Sequence, residues 1–251
     1  MNDFNRILSK FSPITLDEMN KVKLLDRIDR KYMFHADMLE SILELARRNY
    51  YTLEIENKRF ACYQTTYFDT PDYQMYLKHH DGKLNRYKVR FRTYLDSGLN
   101  FFEIKIKTNT GRTKKSRVQL YDKISNIDGV AANLLERKTD IKADTLTPAL
   151  TVNYNRITLV SKDLSERLTI DFDMCYEHEN GTQFMHDLVI AEVKQDKSGS
   201  SPFIDIMSKM RIKDASMSKY CLGVALLVDT IKHNNFKTKI RYVNQLLSKS
   251  A

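Results

Sequence analysis

An α+β fold, with a largely antiparallel sheet and helices added to it, is what this sequence predicts. Two observations carry that reading. Segments with a two-residue apolar period follow one another closely along the chain, whereas parallel pairing needs a crossover of a dozen or more residues between strands. Helical periodicity lies near the two ends and in one stretch between the strand groups. No composition break, linker or internal repeat divides the 251 residues.

The elements follow in order. Thr15-x-x-Glu18 is a capping box that opens a short helix toward Leu25. Leu39, Ile42, Leu43 and Ala46 recur at i, i+3, i+4, i+7 and predict a helix over 37–49. Strands are predicted over 65–69, 87–94, 100–107, 113–120, 151–159, 167–176 and 188–194. Ile127, Val130, Ala131, Leu134 and Leu135 mark a helix between the strand groups. Phe203, Ile206, Met207 and Met210 mark another, residues 216–229 a third, and Phe236, Ile240, Val243 and Leu247 a basic C-terminal helix.

Composition bounds the function. Hydrophobic residues make 42% of the chain, enough for a core and too much for disorder. The longest apolar run, 221–228, is far short of a bilayer span, and the N-terminus has no apolar signal core. A soluble cytoplasmic chain is expected. Cys62, Cys175 and Cys221 are far apart, which argues for half-buried free thiols over a disulfide framework or zinc ribbon. His79-His80 reads as a solvated pair, and Tyr67, Tyr73 and Tyr76 read as packing residues around a turn at Pro71. P-loop and dinucleotide glycine motifs are absent. The net charge of +9 points to an anionic partner.

The phase of the charges sharpens that pointer. Lys88, Arg90 and Arg92 share one strand face, with Val89 and Phe91 on the other. Glu103 and Lys105, Lys115 and Arg117, Arg167, Asp171 and Asp173, and Glu192 and Lys194 repeat the split. A sandwich with one solvated face would explain one or two such strands. Like charges on neighbouring strands repel, so five strands of them call for a counter-anion. If the sheet closes with this face inward, it encloses a basic tunnel fit for a chain of phosphates, which Arg grips bidentately and Lys as a point charge. Glu103 either pairs with its lysines or binds metal. Glu192, in L-V-I-A-E-V-K, is a candidate ligand for Mg²⁺ or Mn²⁺, which takes one or two carboxylates plus substrate phosphates.

An ordered set of motifs then comes into view: D-R-K-Y-M-F (29–34), Y-F-D-T-P-D-Y-Q-M-Y (67–76), G-K-L-N-R-Y-K-V-R-F-R (82–92), F-E-I-K (102–105), Y-N-R (154–156), E-R-L-T-I-D-F-D (166–173), A-E-V-K (191–194) and S-K-Y (218–220). Over about 25–230 this set resembles the VTC domain, the polyphosphate polymerase domain of the vacuolar transporter chaperone complex, in the triphosphate tunnel metalloenzyme (CYTH-like) superfamily. The resemblance implies an eight-stranded antiparallel β-barrel flanked by helices. It implies a single domain over 1–251 with a basic helical extension over 231–251. It carries phosphate contacts onto Lys31, Arg90, Arg92, Lys105, Lys115, Arg156, Arg167, Lys194 and Lys219, of which Arg90, Arg92, Arg167 and Lys219 are expected to be catalytic. Lys88 joins them from strand phase, and Glu192 is the implied metal ligand. The phosphate-sensing SPX domain and membrane helices of eukaryotic members are not in this sequence, which is similar to the stand-alone bacterial type.

Two departures from the family pattern matter. Relatives that hydrolyse triphosphates open with E-x-E-x-K, and the matching positions here are Arg27, Asp29 and Lys31. Hydrolysis needs an activated water, whereas transfer to an ionised phosphate end does not. The substitution therefore favours ATP-dependent polymerisation with a divalent metal over the alternatives, a metal-dependent triphosphatase or a non-enzymatic polyanion-binding module. Ser216 replaces a basic residue three positions before Lys219. The expected partners are a nucleoside triphosphate and polyphosphate, with no nucleic acid. Sequence alone names neither a membrane-associated partner nor an oligomeric state.

Overall fold

A computed structural model describes residues 2–20, 27–196, 200–215 and 217–248. The chain runs α1 (Asn2–Leu8), β1 (Ser12–Ile14), α2 (Leu16–Asn20), β2 (Arg27–His35), α3 (Leu39–Ala46), β3 (Tyr50–Leu53), β4 (Ala61–Asp69), α4 (Gln74–His80), β5 (Arg86–Tyr94), β6 (Asn100–Lys107), β7 (Thr113–Leu120) and α5 (Gly129–Lys138). It continues through β8 (Thr147–Ser161), β9 (Glu166–His178), β10 (Gly181–Met185), β11 (Leu188–Asp196), α6 (Pro202–Lys209), α7 (Lys219–Leu227) and α8 (Lys237–Leu247). Leu25, Ser216 and the side chain of Arg27 lie outside the described residues.

Eight strands form the main path, in the order β2-β11-β9-β8-β4-β5-β6-β7, and every neighbouring pair on it is antiparallel. The fold is the predicted α+β. The expected closed barrel is corrected to an open sheet, because β2 and β7 do not pair with each other. The free edge of β2 is taken instead by the segment before α7: Tyr32 bridges Asp214, and the Ala215 N–H donates to the Lys31 carbonyl at 2.9 Å. β7 offers a largely exposed edge studded with cations, which discourages pairing. The sheet nevertheless curls: Ala215 donates to Lys31 of β2 while Ser218, three residues on, accepts from Lys88 of β5, five strands further along the sheet.

The convex face is apolar and covered by helices. Val193, Leu168 and Ile170 pack under α1, α3 and α6, and Val89, Phe91 and Ile104 pack under α5. The concave face divides in two. One half, with Met33, Leu150, Val152 and Tyr176, is filled by α7 and α8. α7 approaches so closely that a Cβ on Gly223 would stand 2.5 Å from Leu150 and 2.6 Å from Tyr176. The other half carries the charges.

Local chemistry explains several element ends. The capping box forms as predicted: Glu18 Oε2 accepts the Thr15 N–H at 2.9 Å, and Thr15 Oγ1 accepts the Glu18 N–H at 3.3 Å. Ser201 and Ser218 cap α6 and α7. Two expectations are corrected. His80 is buried, hydrogen-bonded to Asp81 and to Asn235, because Phe236 closes over it, and His79 is half-buried beside the same ring. Cys221 is wholly buried on the inner side of α7, while Cys62 and Cys175 are half-buried as expected. The cations Lys237, Lys239 and Arg241 of α8 face solvent.

Candidate active site

Strand register brings the predicted cations to the concave face. Arg90 stands opposite Glu103 and Tyr67, Arg92 opposite Phe101 and Thr65, and Lys105 opposite Lys88 and Lys115. Glu192 stands opposite Lys31 and Thr169, and Lys194 opposite Asp29 and Arg167. Arg156 stands opposite Asp171. Direct partners in an antiparallel pair share a face, so these side chains converge.

Three carboxylates organise them. Glu103, fully buried, takes Arg90 at 2.7 Å through Nε and 2.5 Å through Nη2, Arg92 at 3.9 Å, and Lys115. Asp171 takes Arg156 at 2.5 and 2.8 Å in a bidentate fork, and the Lys219 ammonium. Glu192 takes Lys31 and Lys194, each at 3.1 Å from Oε1. Burial pushes all three carboxyls up, but the surrounding cations more than offset it and hold each well below the usual carboxylate range.

The cations outnumber these acids, and both burial and mutual repulsion act on the lysines. Arg90, followed by burial and Arg92, holds Lys105 well below the ordinary lysine value. Burial is the largest cause that lowers Lys115 and Lys194. Lys88 is pulled down to about 8, by burial first; Cys221 opposes the shift, and Arg86, Arg90 and Lys31 add to it. Its ammonium donates to Ser218 Oγ at 2.8 Å, at the first turn of α7. Burial, joined by neighbouring cations at Lys88 and Lys105, disfavours these ammonium charges, and an incoming anion favours them. Arg167 sits at the far end beside Lys194, with its guanidinium donating to the Met19 carbonyl at 3.0 Å. Arg117, exposed, stacks over Phe101 at 4.8 Å.

Aromatic rings complete the surface. Tyr63 stacks on Tyr154 at 5.2 Å, with Arg92 and Arg156 over the Tyr63 ring at 5.3 and 5.2 Å and Lys219 over Tyr154 at 4.9 Å. The cations Arg92, Arg156 and Lys219 bring the buried Tyr154 hydroxyl below its ordinary value, against burial. Sequence reasoning left the anchoring role of Asp171 and these two tyrosines unassigned. Asp171 was in phase with Arg167, but only the cross-strand register reveals Arg156 as its partner.

The metal question turns on Glu192. Among the described residues no group of three His, Cys, Asp or Glu is arranged to hold an ion. Glu103 serves as counter-charge to three cations. Glu192 is partly exposed and shares its face with Asp29, opposite Lys194. That donor set fits Mg²⁺ or Mn²⁺ only in the mode where phosphate oxygens supply the remaining ligands.

A curled, open antiparallel sheet with a cation-lined concave face is a tunnel-like fold. The chain belongs to the VTC domain family, whose model matches residues 26–228. Its fold is similar to that of a candidate adenylate cyclase from Bacillus halodurans, with a TM-score of 0.52 and 14% identity, covering 81% of this chain and 98% of that one. It is also similar to a Hippeastrum adenylyl cyclase candidate with a dominant triphosphatase activity, with a TM-score of 0.53 and 11% identity, covering 83% and 100%. At such identities the likeness shows the fold alone. No curated protein matches the sequence.

Proposed function

We propose that this protein is a nucleoside-triphosphate-dependent polyphosphate polymerase, transferring the γ-phosphate of ATP to a growing phosphate chain. The observation that carries the reading is the surplus of inward cations over Glu103, Asp171 and Glu192, with lysines pushed toward neutrality. Family membership supports it.

In this reading Arg90, Arg92 and Arg156 grip successive phosphates, with Lys31, Lys88, Lys105, Lys115, Lys194 and Lys219 as point charges and Arg167 at the far end. The terminal oxygen of the acceptor chain attacks the γ-phosphorus in line. A new P–O bond forms there, the bond to the β,γ-bridging oxygen breaks, and ADP leaves with that electron pair. The acceptor oxygen is already ionised, so no side chain has to take a proton. Catalysis is positioning and neutralisation of charge on the transferring group. A divalent cation, when bound, would neutralise phosphate charge beside Glu192. α7 and α8 fill one half of the concave face, so chain and nucleotide share the charged half.

Incubation with ATP and Mn²⁺ or Mg²⁺, followed by gel separation of the products, tests the reading. Acid-labile phosphate chains are expected. Release of inorganic phosphate without chains would favour a triphosphatase, and salt-sensitive polyanion binding without nucleotide turnover would favour a binding module.

A further inference from the structure

Two sequence motifs, Y-F-D-T-P-D at 67–72 and S-K-Y at 218–220, have one residue each that the proposed chemistry leaves unused, and those residues meet. Asp69, the last residue of β4, is wholly buried. Its Oδ1 accepts the N–H groups of Thr70 and Met75, both at 2.8 Å. Its Oδ2 accepts the Tyr76 N–H at 2.9 Å and the Tyr220 hydroxyl at 2.5 Å. Tyr220 is further held by stacking on Tyr67 at 5.1 Å and by an edge contact with Tyr76 at 6.4 Å. The preceding residue, Lys219, turns its ammonium to Asp171 and over the Tyr154 ring.

We propose that Asp69, through the Tyr220 hydroxyl, is a positioning residue that fixes the first turn of α7 so that Lys219 meets the Asp171–Arg156 pair. The inference rests on the phosphate-chain reading of the concave face and deepens it. The carboxylate has one hand on the start of α4 and the other on α7, so it ties the start of α4 to the turn that carries Lys219. Packing alone would seat the apolar side of α7, but it does not set the rotation that aims a flexible lysine. A short hydrogen bond from the residue next to that lysine does.

The test uses Tyr220→Phe, Lys219→Ala and the double variant, with tripolyphosphate titrated by calorimetry. Tyr220→Phe is chosen because Asp69 keeps its three backbone donors, so the start of α4 is undisturbed. Lys219→Ala is expected to weaken binding about tenfold, and Tyr220→Phe by about threefold to tenfold, since the hydroxyl acts only through Lys219 and its loss cannot exceed that of the lysine. The double variant is expected to bind like Lys219→Ala within about twofold, because two residues acting through one contact are not additive. A purely structural role for the hydroxyl predicts the opposite, with the two losses multiplying. Multiplied losses, or wild-type binding by Tyr220→Phe beside a weakened Lys219→Ala, would overturn the inference and leave the phosphate-chain reading standing. Unchanged binding by Lys219→Ala would overturn both.

Discussion

The two halves of the concave face share strands β2, β8, β9 and β11 and behave oppositely. In one, Met33, Leu150, Val152 and Tyr176 are sealed by α7, and the surface is a core like any other. In the other, Arg90, Arg92, Arg156 and their neighbours are held around three carboxylates, with charge left over. Met33 and Lys31 are two residues apart on β2, and Ile190 and Glu192 two apart on β11, so each strand crosses the boundary in one step. The difference shows that a two-residue period fixes which face a side chain takes but not whether that face is dry. A helix supplied from elsewhere in the chain decides that.

The comparison breaks first at the charged half. Arg90→Ala or Arg92→Ala removes a proposed clamp on the phosphates and is expected to cut turnover by about 10²–10³-fold, measured as initial rate of ATP consumption. Near-normal rates would mean that the charged half is not where phosphates react. Glu192→Gln is expected to flatten the dependence of rate on Mn²⁺ or Mg²⁺, because the partly exposed carboxylate among these cations would be gone. A titration curve identical to wild type would remove Glu192 from metal binding.

The apolar half makes the opposite prediction. Gly223→Ala places a methyl into Leu150 and Tyr176 and is expected to cost about 1–3 kcal/mol of stability in denaturant, with the rate per folded molecule unchanged. A lost rate at full stability would show the two halves to be coupled. The smallest effect concerns protons. Lys88 stands at about 8 in the free protein, and a bound anion returns it toward its ordinary value. The protonated form is the one that binds, so tripolyphosphate affinity falls as pH rises through that value, and binding there takes up protons. Calorimetry in buffers of different ionisation enthalpy reads the uptake. Lys88→Arg, always charged, should reduce it, and an unchanged uptake would reassign the proton.

Much of this was legible in the sequence, for definite reasons. β5 and β6 alternate cleanly, so their inward cations follow from phase alone. The capping box at Thr15 and the helix at Leu39–Ala46 follow from spacing. β2 was visible only as a motif, because its charged Arg30 shares the convex side with Tyr32 and Phe34 and blurs the period. β3 and β10 are too short to show one. β8 extends to Thr147 and Ser161, past the expected 151–159, since sheet pairing carries a strand beyond its periodic centre. Asp171 as an anchor, the buried His80, and the open edges of the sheet depend on which distant segments meet, and no local pattern encodes that.

In the proposed function, the charged half of the concave face is one site for a chain of phosphates. Titration of tripolyphosphate into the wild-type protein and into Arg156→Ala tests it directly. One ligand per chain is predicted, with affinity falling by about tenfold or more in the variant, since a cation is lost and the Asp171 charge it offsets is left to repel the phosphates. Several ligands per chain, or equal binding by both proteins, would contradict it.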